Sequence, residues 1–154
     1  MNKGRHLTDE KILNCARLLH KYKIKFVTFV ASRGCPFKCS FCEVPFVVNL
    51  TKGKSTVYQN VDSFIDEIDE TKKRSMLEGK LVMFTDSTFN SHNKWFLEFC
   101  RQYKERINLP WSCNLRVELV DEEQVKAMKL ANCDNVRFGV ESGDENIRLE
   151  VLNK

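Results

Sequence analysis

Residues 26–42 have the sequence FVTFVASRGCPFKCSFC, and this stretch decides the predicted fold. The β-branched and aromatic residues 26–31 predict a buried strand. Directly after it, Cys35, Cys39 and Cys42 form a Cys-x3-Cys-x2-Cys pattern. Soft thiolates select iron–sulfur clusters, zinc or Cu(I). Three thiolates on one short loop can each bind a different iron of a cubane cluster, which leaves the fourth iron open for a substrate.

A structural zinc site is the alternative to a cluster. Zinc would need a fourth ligand from Cys100, Cys113, Cys133 or one of the 3 histidines. Zinc sites built from neighbouring residues usually carry two paired half-motifs, and this sequence has no second Cys-x2-Cys and no His-x3-His. The pattern therefore favours iron. The cysteines outside the motif, including Cys15, lie on apolar faces or strands and are predicted to be buried.

Composition narrows the class of protein. The 154 residues are 42% apolar and 30% charged, which is typical of one globular domain and argues against disorder. The net charge of +4 is too small to favour nucleic-acid binding. The longest apolar stretch cannot cross a bilayer, and the charged N-terminus has no signal-peptide core. The 7 cysteines without a secretory signal argue against a disulfide framework and for a cytoplasmic metal or redox site.

The periodicity of the chain alternates between strand and helix. Residues 8–22, 61–75 and 92–106 have helical apolar spacing, and Asp121 opens a further helix that carries Val125, Met128 and Ala131. Strands are predicted over residues 26–31, 80–85, 110–116 and 135–140, a long irregular stretch over 33–59, and a last helix from Asp144. This alternation predicts an α/β fold with a parallel sheet and crossover helices, with no linker and no second domain.

The carboxyl ends of the predicted strands carry polar or metal-binding residues. In open α/β sheets, ligands bind at these ends. The segments concerned are Cys35, residues 85–87, residues 114–116 and residues 139–142. We therefore expect one site on one rim of the sheet.

Beyond the cysteines, three further segments extend the pattern to a known family. They are residues 84–89 (FTDSTF), 109–116 (LPWSCNLR) and 137–143 (RFGVESG). With the cysteine motif and Phe41 before its last cysteine, the sequence resembles the radical S-adenosylmethionine (radical SAM) superfamily over residues 26–154. It is most similar to the branch whose members often carry an N-terminal cobalamin-binding domain. The family's fold implies a partial (β/α) barrel, with about four of its six strand–helix units present here.

The resemblance implies a set of ligand-binding residues and no catalytic side chain. Cys35, Cys39 and Cys42 would hold a [4Fe-4S] cluster whose open iron takes the amino and carboxylate groups of S-adenosylmethionine. The cofactor contacts implied are the Phe41 backbone at the adenine, Asp86 and Ser87 at the methionyl amino group, and Asn114, Arg116 and Glu141 near the ribose and carboxylate. Asp86-Ser87 departs from the paired aspartates common in the branch, and Asn132 replaces its usual glycine in Ala-Gly-Cys.

The activity implied is reductive cleavage of S-adenosylmethionine to a 5′-deoxyadenosyl radical that acts on an unknown substrate. An electron donor such as flavodoxin or ferredoxin is the implied partner. The sequence lacks the Asp-x-His-x2-Gly motif that binds cobalamin, so a missing cobalamin domain is a further candidate partner. The alternatives are a non-catalytic iron–sulfur-binding fragment and a structural zinc protein.

The N-terminal segment predicts an unusual order of elements. Residues 4–29 resemble the part of the family's sequence that comes after its counterpart of residues 137–143, namely the later part of a crossover helix and the sixth strand. The chain is accordingly interpreted as one truncated or rearranged core, residues 1–154, with a helix in 1–25 and the cysteine loop and core strands in 26–154. An ordinary helix before the first strand is the alternative.

Overall fold

The computed structural model describes residues 25–51, 54–74 and 76–154. Its strands are β1 (Phe26–Phe29), β2 (Ser32–Gly34), β3 (Thr56–Tyr58), β4 (Leu81–Phe84), β5 (Trp111–Asn114) and β6 (Cys133–Arg137). Its helices are α1 (Glu43–Thr51), α2 (Val61–Lys73), α3 (Asn93–Arg106) and α4 (Glu122–Leu130), with a short 3-10 turn at Val117–Leu119 and a π-helical turn at Ile147–Val151. The predicted helix over residues 8–22, with Cys15 and the resemblance drawn from that segment, lies outside the described residues.

The central sheet of the described residues is parallel. Its four strands have the order β1-β4-β5-β6. In the register, Phe29 pairs with Phe84, and Phe84 pairs with Cys113. Helix α3 connects β4 to β5 and α4 connects β5 to β6, which is the crossover that parallel neighbours require. The predicted α/β fold is confirmed.

The core lies between this sheet and the helices. The apolar stripe of α3 is buried as predicted, through Trp95, Phe96, Phe99 and Tyr103. Phe99 packs edge-on against Phe84 of β4, with ring centroids 5.1 Å apart. Helix α2 contributes Phe64, Ile65 and Ile68 to the same core. The large aromatic area removed from water makes this layer the main source of stability.

Helix α4 differs from the predicted pattern at one position. Asp121 caps it as predicted, because its carboxylate accepts a 2.8 Å hydrogen bond from the Gln124 N–H. Met128 and Ala131 are buried, but Val125 is 49% exposed. The buried neighbour is Gln124, whose amide bonds Asn90 and Asn93. The buried face of α4, on which Val125 was predicted, therefore carries the hydrogen-bonded side chain of Gln124 instead.

The prediction of an irregular stretch over residues 33–59 is wrong in part. β2 and β3 form an antiparallel pair, and α1 lies between them in the sequence. Pro45 indicates irregular chain in the sequence, but it lies in the first turn of α1, where the backbone N–H has no intrahelical partner to lose. Gly34 has φ +87°, and a Cβ there would overlap the Ser55 carbonyl oxygen. Only glycine allows β2 and β3 to approach in this way.

The last predicted elements are shifted. β6 begins at Cys133, because Asn132 reverses the chain in the left-handed conformation (φ 66°) immediately after α4. Asp144 does accept a 3.1 Å hydrogen bond from the Ile147 N–H, as a helix cap would. The helix it opens has α-helical residues 145 and 146 and continues as a π-helical turn at Ile147–Val151. In the described part of the chain, no helix combines the length and the apolar character needed to span a bilayer.

Candidate metal and cofactor site

A cavity of about 440 Å³ opens at the carboxyl ends of the sheet strands. Binding sites for small molecules commonly have volumes of roughly 300–1,000 Å³. The residues named from the sequence that line it are Cys35, Cys39, Phe41, Cys42, Ser87, Asn114, Arg116 and Glu141. These residues come from four separate segments, and the parallel topology brings them to one rim.

The three motif cysteines are half-buried free thiols in the loop between β2 and α1, which we call the cysteine loop (residues 35–42). Two of their sulfurs have polar neighbours. The Arg116 guanidinium donates to the Cys39 sulfur over 3.1 Å, and the Thr88 hydroxyl lies 3.5 Å from the Cys35 sulfur. The donor set is thus soft sulfur at the mouth of a cavity, which fits an iron–sulfur cluster.

The sulfurs do not form a preformed site for a single ion. Among the described residues, no three histidine, cysteine, aspartate or glutamate side chains come together closely enough to hold one metal ion. A structural zinc site would bring four ligands to about 2.0–2.3 Å of one centre. In a cubane, each thiolate binds a different iron, so the ligands stand farther apart.

Asp86 lies outside the cavity wall. Its side chain is 2% exposed, and its carboxylate accepts hydrogen bonds from the Ala31 N–H (3.2 Å), the Ser32 N–H (2.6 Å) and the Ser32 hydroxyl. Ser32 begins β2, which leads into the cysteine loop. The Asp86 carboxylate therefore binds the chain where β2 begins, three residues before the cysteine loop.

Asp86 is the first of three buried polar residues that alternate along the segment after β4. Thr88 is 6% exposed and contacts the Cys35 sulfur. Asn90 is 1% exposed, and its side-chain amide bonds both the N–H and the carbonyl of Arg116. Residue 87 lies in a bend and residues 89–90 lie in a turn, so this segment is not an extended strand. Sequence reasoning missed Thr88 and Asn90, and the signal that could have indicated them is the run of polar residues directly after β4.

The other cofactor candidates face the cavity with different degrees of constraint. The Asn114 amide donates to the Asp86 carbonyl over 2.9 Å. Glu141 pairs with Lys154 at 2.8 Å, and its backbone has φ 64°. Ser87 and Phe41 are exposed on the cavity wall, and Phe41 is 51% exposed. These residues present carboxylate, amide, hydroxyl and aromatic groups to a ligand.

The segment at the π-helical turn holds the outer side of the cysteine loop. The Ser40 N–H donates to the Leu152 carbonyl over 3.0 Å, and the Ser40 hydroxyl donates to the Val151 carbonyl over 2.6 Å. The Asn153 amide donates to the Lys38 carbonyl over 2.9 Å. The loop is therefore fixed from both sides by hydrogen bonds to chain that is distant in sequence.

The cysteines outside the motif have a different environment. Cys100 and Cys113 are buried, as predicted, and burial raises the pKa of each thiol well above its usual value. Cys133 is only half-buried, and burial, with the nearby Asp134, raises its pKa to about 11. These thiols stay protonated at neutral pH and do not resemble ligands. Burial lowers the pKa of Arg116, but its bonds to Cys39 and Glu118 outweigh that and hold the pKa above its usual value.

Comparison with known proteins agrees with this geometry. The model of the Radical SAM superfamily matches residues 29–154. A Pyrococcus horikoshii protein named as an uncharacterized methyltransferase is 33% identical over 140 residues, which cover 88% of this chain and 29% of that protein. The bacteriochlorophyllide d C-12(1)-methyltransferase of Chlorobaculum tepidum is 26% identical, over 84% of this chain and 27% of its own length.

Two solved structures share the fold. Both are of the radical S-adenosylmethionine methyltransferase TsrM from Kitasatospora setae. The form with tryptophan and a SAM analogue bound has a TM-score of 0.71 at 21% identity, over 84% of this chain and 25% of that one. The form with cobalamin and a [4Fe-4S] cluster bound has a TM-score of 0.68 at 20% identity, over 80% and 24%.

The chain thus spans roughly a quarter to three tenths of the length of these relatives. Within that span, the family match begins at β1 and includes the cysteine loop and every strand that contributes to the cavity. The agreement of motif, sheet and family model leads to one conclusion. This chain belongs to the radical SAM superfamily.

Proposed function

We propose that Cys35, Cys39 and Cys42 hold a [4Fe-4S] cluster and that the cavity beside them binds S-adenosylmethionine for reductive cleavage. One observation carries the proposal. The three thiols line the same cavity as Asn114, at the carboxyl ends of the strands of the parallel sheet. The chain belongs to a family named for radical chemistry with S-adenosylmethionine. A cluster bound by three cysteines has one iron with no protein ligand, which is where a chelating cofactor would bind.

Held by the three cysteines, a cluster would supply the one electron needed to cleave the S–C5′ bond of S-adenosylmethionine reductively, which would yield methionine and a 5′-deoxyadenosyl radical acting on an unknown substrate. That electron must come from a reductant, and an electron donor of the flavodoxin or ferredoxin type is proposed as the partner. Such a cluster and the free thiols fit a reducing, cytoplasmic location. The chain's own residues bind and orient the reactants and limit the access of water.

The cavity residues have distinct proposed roles. Ser87, Asn114 and Glu141 offer hydrogen-bonding groups for the polar parts of the cofactor, and Phe41 lies beside them for the adenine. Asp86 is proposed to position the cysteine loop, because its carboxylate is already occupied by the backbone of residues 31 and 32. This role replaces the contact with the methionyl amino group that the family resemblance implied.

Methyl transfer is the reaction class that we propose beyond radical formation. The support is the named function of two relatives, both methyltransferases. A third relative, from Rubrivivax gelatinosus, is named for a different reaction, as an anaerobic magnesium-protoporphyrin IX monomethyl ester cyclase. The substrate is unknown. Residues 1–154 include no Asp-x-His-x2-Gly motif, and one solved TsrM structure has cobalamin bound, so a cobalamin domain is proposed as a partner of these residues.

Anaerobic reconstitution with iron and sulfide tests the proposal. The wild-type protein is expected to bind about four irons, to give an EPR signal after reduction that changes on adding S-adenosylmethionine, and to form 5′-deoxyadenosine. Cys39→Ala should lose all three properties. Cys133→Ala is the matched control, since its sulfur donates to the Asn135 carbonyl and lies outside the cavity, and it should keep them.

The same assay separates the alternatives. A cluster that responds to S-adenosylmethionine but never forms 5′-deoxyadenosine would indicate a cluster-binding module without turnover. Stoichiometric zinc in place of iron would contradict the proposal. Methyl transfer should yield S-adenosylhomocysteine in addition to 5′-deoxyadenosine once a substrate is supplied.

A further inference from the structure

The guanidinium of Arg116 already has several contacts within the protein. Its side chain is 12% exposed. Besides the Cys39 sulfur at 3.1 Å, its guanidinium pairs with Glu118 at 2.9 Å and stacks over the Phe37 ring at 3.9 Å from the centroid. Sulfur, carboxylate and ring thus surround the guanidinium on three sides. The rigid planar fork of arginine suits this arrangement.

The backbone of Arg116 is fixed as well. The buried Asn90 side chain accepts from the Arg116 N–H over 3.0 Å and donates to the Arg116 carbonyl over 3.2 Å. Gln124 in turn accepts a 3.2 Å hydrogen bond from Asn90. The buried amides of Asn90 and of Gln124 on α4 therefore fix the backbone from which the guanidinium reaches the Cys39 sulfur.

A second donor reaches a second motif sulfur. The Thr88 hydroxyl lies 3.5 Å from the Cys35 sulfur, within the range of hydrogen bonds to sulfur. The Thr88 carbonyl accepts a 3.0 Å bond from the Tyr58 hydroxyl, which ties this segment to β3. Toward a thiolate, which has no proton to give, the threonine hydroxyl must be the donor.

We propose that Arg116 and Thr88 donate hydrogen bonds to the cluster's cysteine sulfurs and raise its reduction potential, an inference that rests on the proposed function. A cluster gains one negative charge when it accepts an electron. Donors at the sulfurs and a fixed positive charge beside them stabilise that reduced state. Arg116 and Thr88 are positioning and tuning residues, and this assigns Arg116 to the cluster instead of to the ribose or carboxylate of the cofactor.

The test is a potentiometric titration of the reconstituted protein without S-adenosylmethionine, monitored by EPR. Dithionite supplies the single electron that each cluster accepts. Arg116→Gln and Thr88→Val are each expected to lower the midpoint potential, with the larger shift in Arg116→Gln because it removes a charge and a hydrogen bond. Thr88→Ser keeps a hydroxyl and should restore the wild-type value. Arg116→Lys keeps the charge without the fork and should fall between wild type and Arg116→Gln.

Arg137→Gln is the matched control. Arg137 is an exposed arginine that lines the same cavity, so the substitution removes the same charge without removing the hydrogen bond to Cys39. We expect it to lower the potential less than Arg116→Gln does, because Arg137 is exposed to solvent and gives no hydrogen bond to a motif sulfur. Iron content and circular dichroism are measured for each variant. If Arg116→Gln does not retain four irons, Arg116→Lys and Thr88→Val carry the comparison.

The outcomes distinguish this inference from the proposed function. A wild-type protein that binds no cluster would contradict the proposed function itself. A wild-type cluster with Arg116→Gln at the same potential, or shifted no more than Arg137→Gln, would overturn the assignment of Arg116. A Thr88→Val cluster at the wild-type potential would overturn the assignment of Thr88.

Discussion

The aromatic core and the cysteine loop are stabilised by different kinds of interaction. In the core, rings such as Phe99 and Trp111 are fully buried and contact each other, with centroids 5.6 Å apart. The cysteine loop buries little apolar surface, and Phe41 within it is half exposed. Its position depends on the polar contacts of Thr88 and Arg116 with its sulfurs and on the hydrogen bonds that Asp86 accepts from Ser32 just before it. The core is therefore stabilised by the apolar surface that it buries, whereas the cysteine loop is held by a few specific polar contacts.

This difference indicates that the stability of the fold depends mainly on the aromatic core, and that the geometry of the metal site depends mainly on the contacts of the cysteine loop. Losing one core ring should weaken the whole domain, because the packing is shared by sheet and helices. Losing one loop contact should disturb the metal site more than the fold. Substitutions in the two regions test that contrast, beginning with the largest effect.

The largest effect is expected for Phe99→Ala. Phe99 is fully buried and contacts the rings of Phe84, Trp95 and Trp111. Replacing such a ring leaves a cavity and should cost about 3–5 kcal/mol of unfolding free energy. Urea unfolding measures the change. Val125→Ala on the exposed face of α4 should change stability by less than about 0.5 kcal/mol, and an equal loss in both variants would contradict the packing described.

Asp86→Ala should have the next largest effect. It leaves the N–H groups of residues 31 and 32 and the Ser32 hydroxyl without their buried acceptor. The free energy of unfolding should fall by about 2–3 kcal/mol. The fraction of iron binding lost should be larger than in the folded part of the Phe99→Ala protein. Iron content after reconstitution and urea unfolding report the two effects. The exposed Asp134→Ala is the control, and full iron content in Asp86→Ala would refute the role given to Asp86.

Gly34→Ala compares steric and conformational effects at the start of the loop. Gly34 and Gly79 both have positive φ, but only at Gly34 would a new Cβ overlap backbone, at the Ser55 carbonyl. Gly79→Ala should cost about 1 kcal/mol for its conformation alone. Gly34→Ala should cost about 2 kcal/mol and reduce iron binding. Equal losses of stability and iron in the two variants would show that the approach of β2 and β3 does not matter.

The smallest perturbation is alkylation of the folded apoprotein at pH 8. Burial raises the pKa of Cys133 to about 11, so on the order of one in a thousand of its thiols is ionised at that pH. Cys100 and Cys113 are shielded inside the core. The half-buried Cys35, Cys39 and Cys42 should therefore react with iodoacetamide before Cys100, Cys113 and Cys133, as peptide mass spectrometry would record. Labelling of Cys113 ahead of the loop cysteines would contradict the burial of the core.

The sequence predicted the core well because its signals are local. Helical spacing of Phe64, Ile65 and Ile68 specifies which face of α2 is buried, and alternation with strands specifies a parallel sheet. The same reasoning missed β3, because three residues carry too little periodicity. It also interpreted Pro45 as a sign of irregular chain, although Pro45 lies in the first turn of α1. Short elements of this kind form through tertiary contacts, here the pairing with β2.

The candidate site was only partly predictable. The cysteine motif and the strand ends identified most residues that line the cavity. The contacts that fix the loop are non-local: Arg116 and Cys39 are 77 residues apart, and Asp86 and Ser32 are 54 apart. No spacing rule predicts such a pairing. The direction of the Asp86 side chain likewise depends on the backbone donors it meets, which only the folded chain reveals.

The proposed cluster has four irons, of which three have a cysteine ligand and one is left for S-adenosylmethionine. Mössbauer spectroscopy of protein reconstituted with 57Fe distinguishes these irons, because it resolves individual iron sites. We expect a four-iron spectrum in which one site changes when S-adenosylmethionine is added and the other three keep their sulfur ligation. A spectrum with four equivalent, unresponsive sites, or a protein that takes up zinc and no iron, would contradict the proposed cluster.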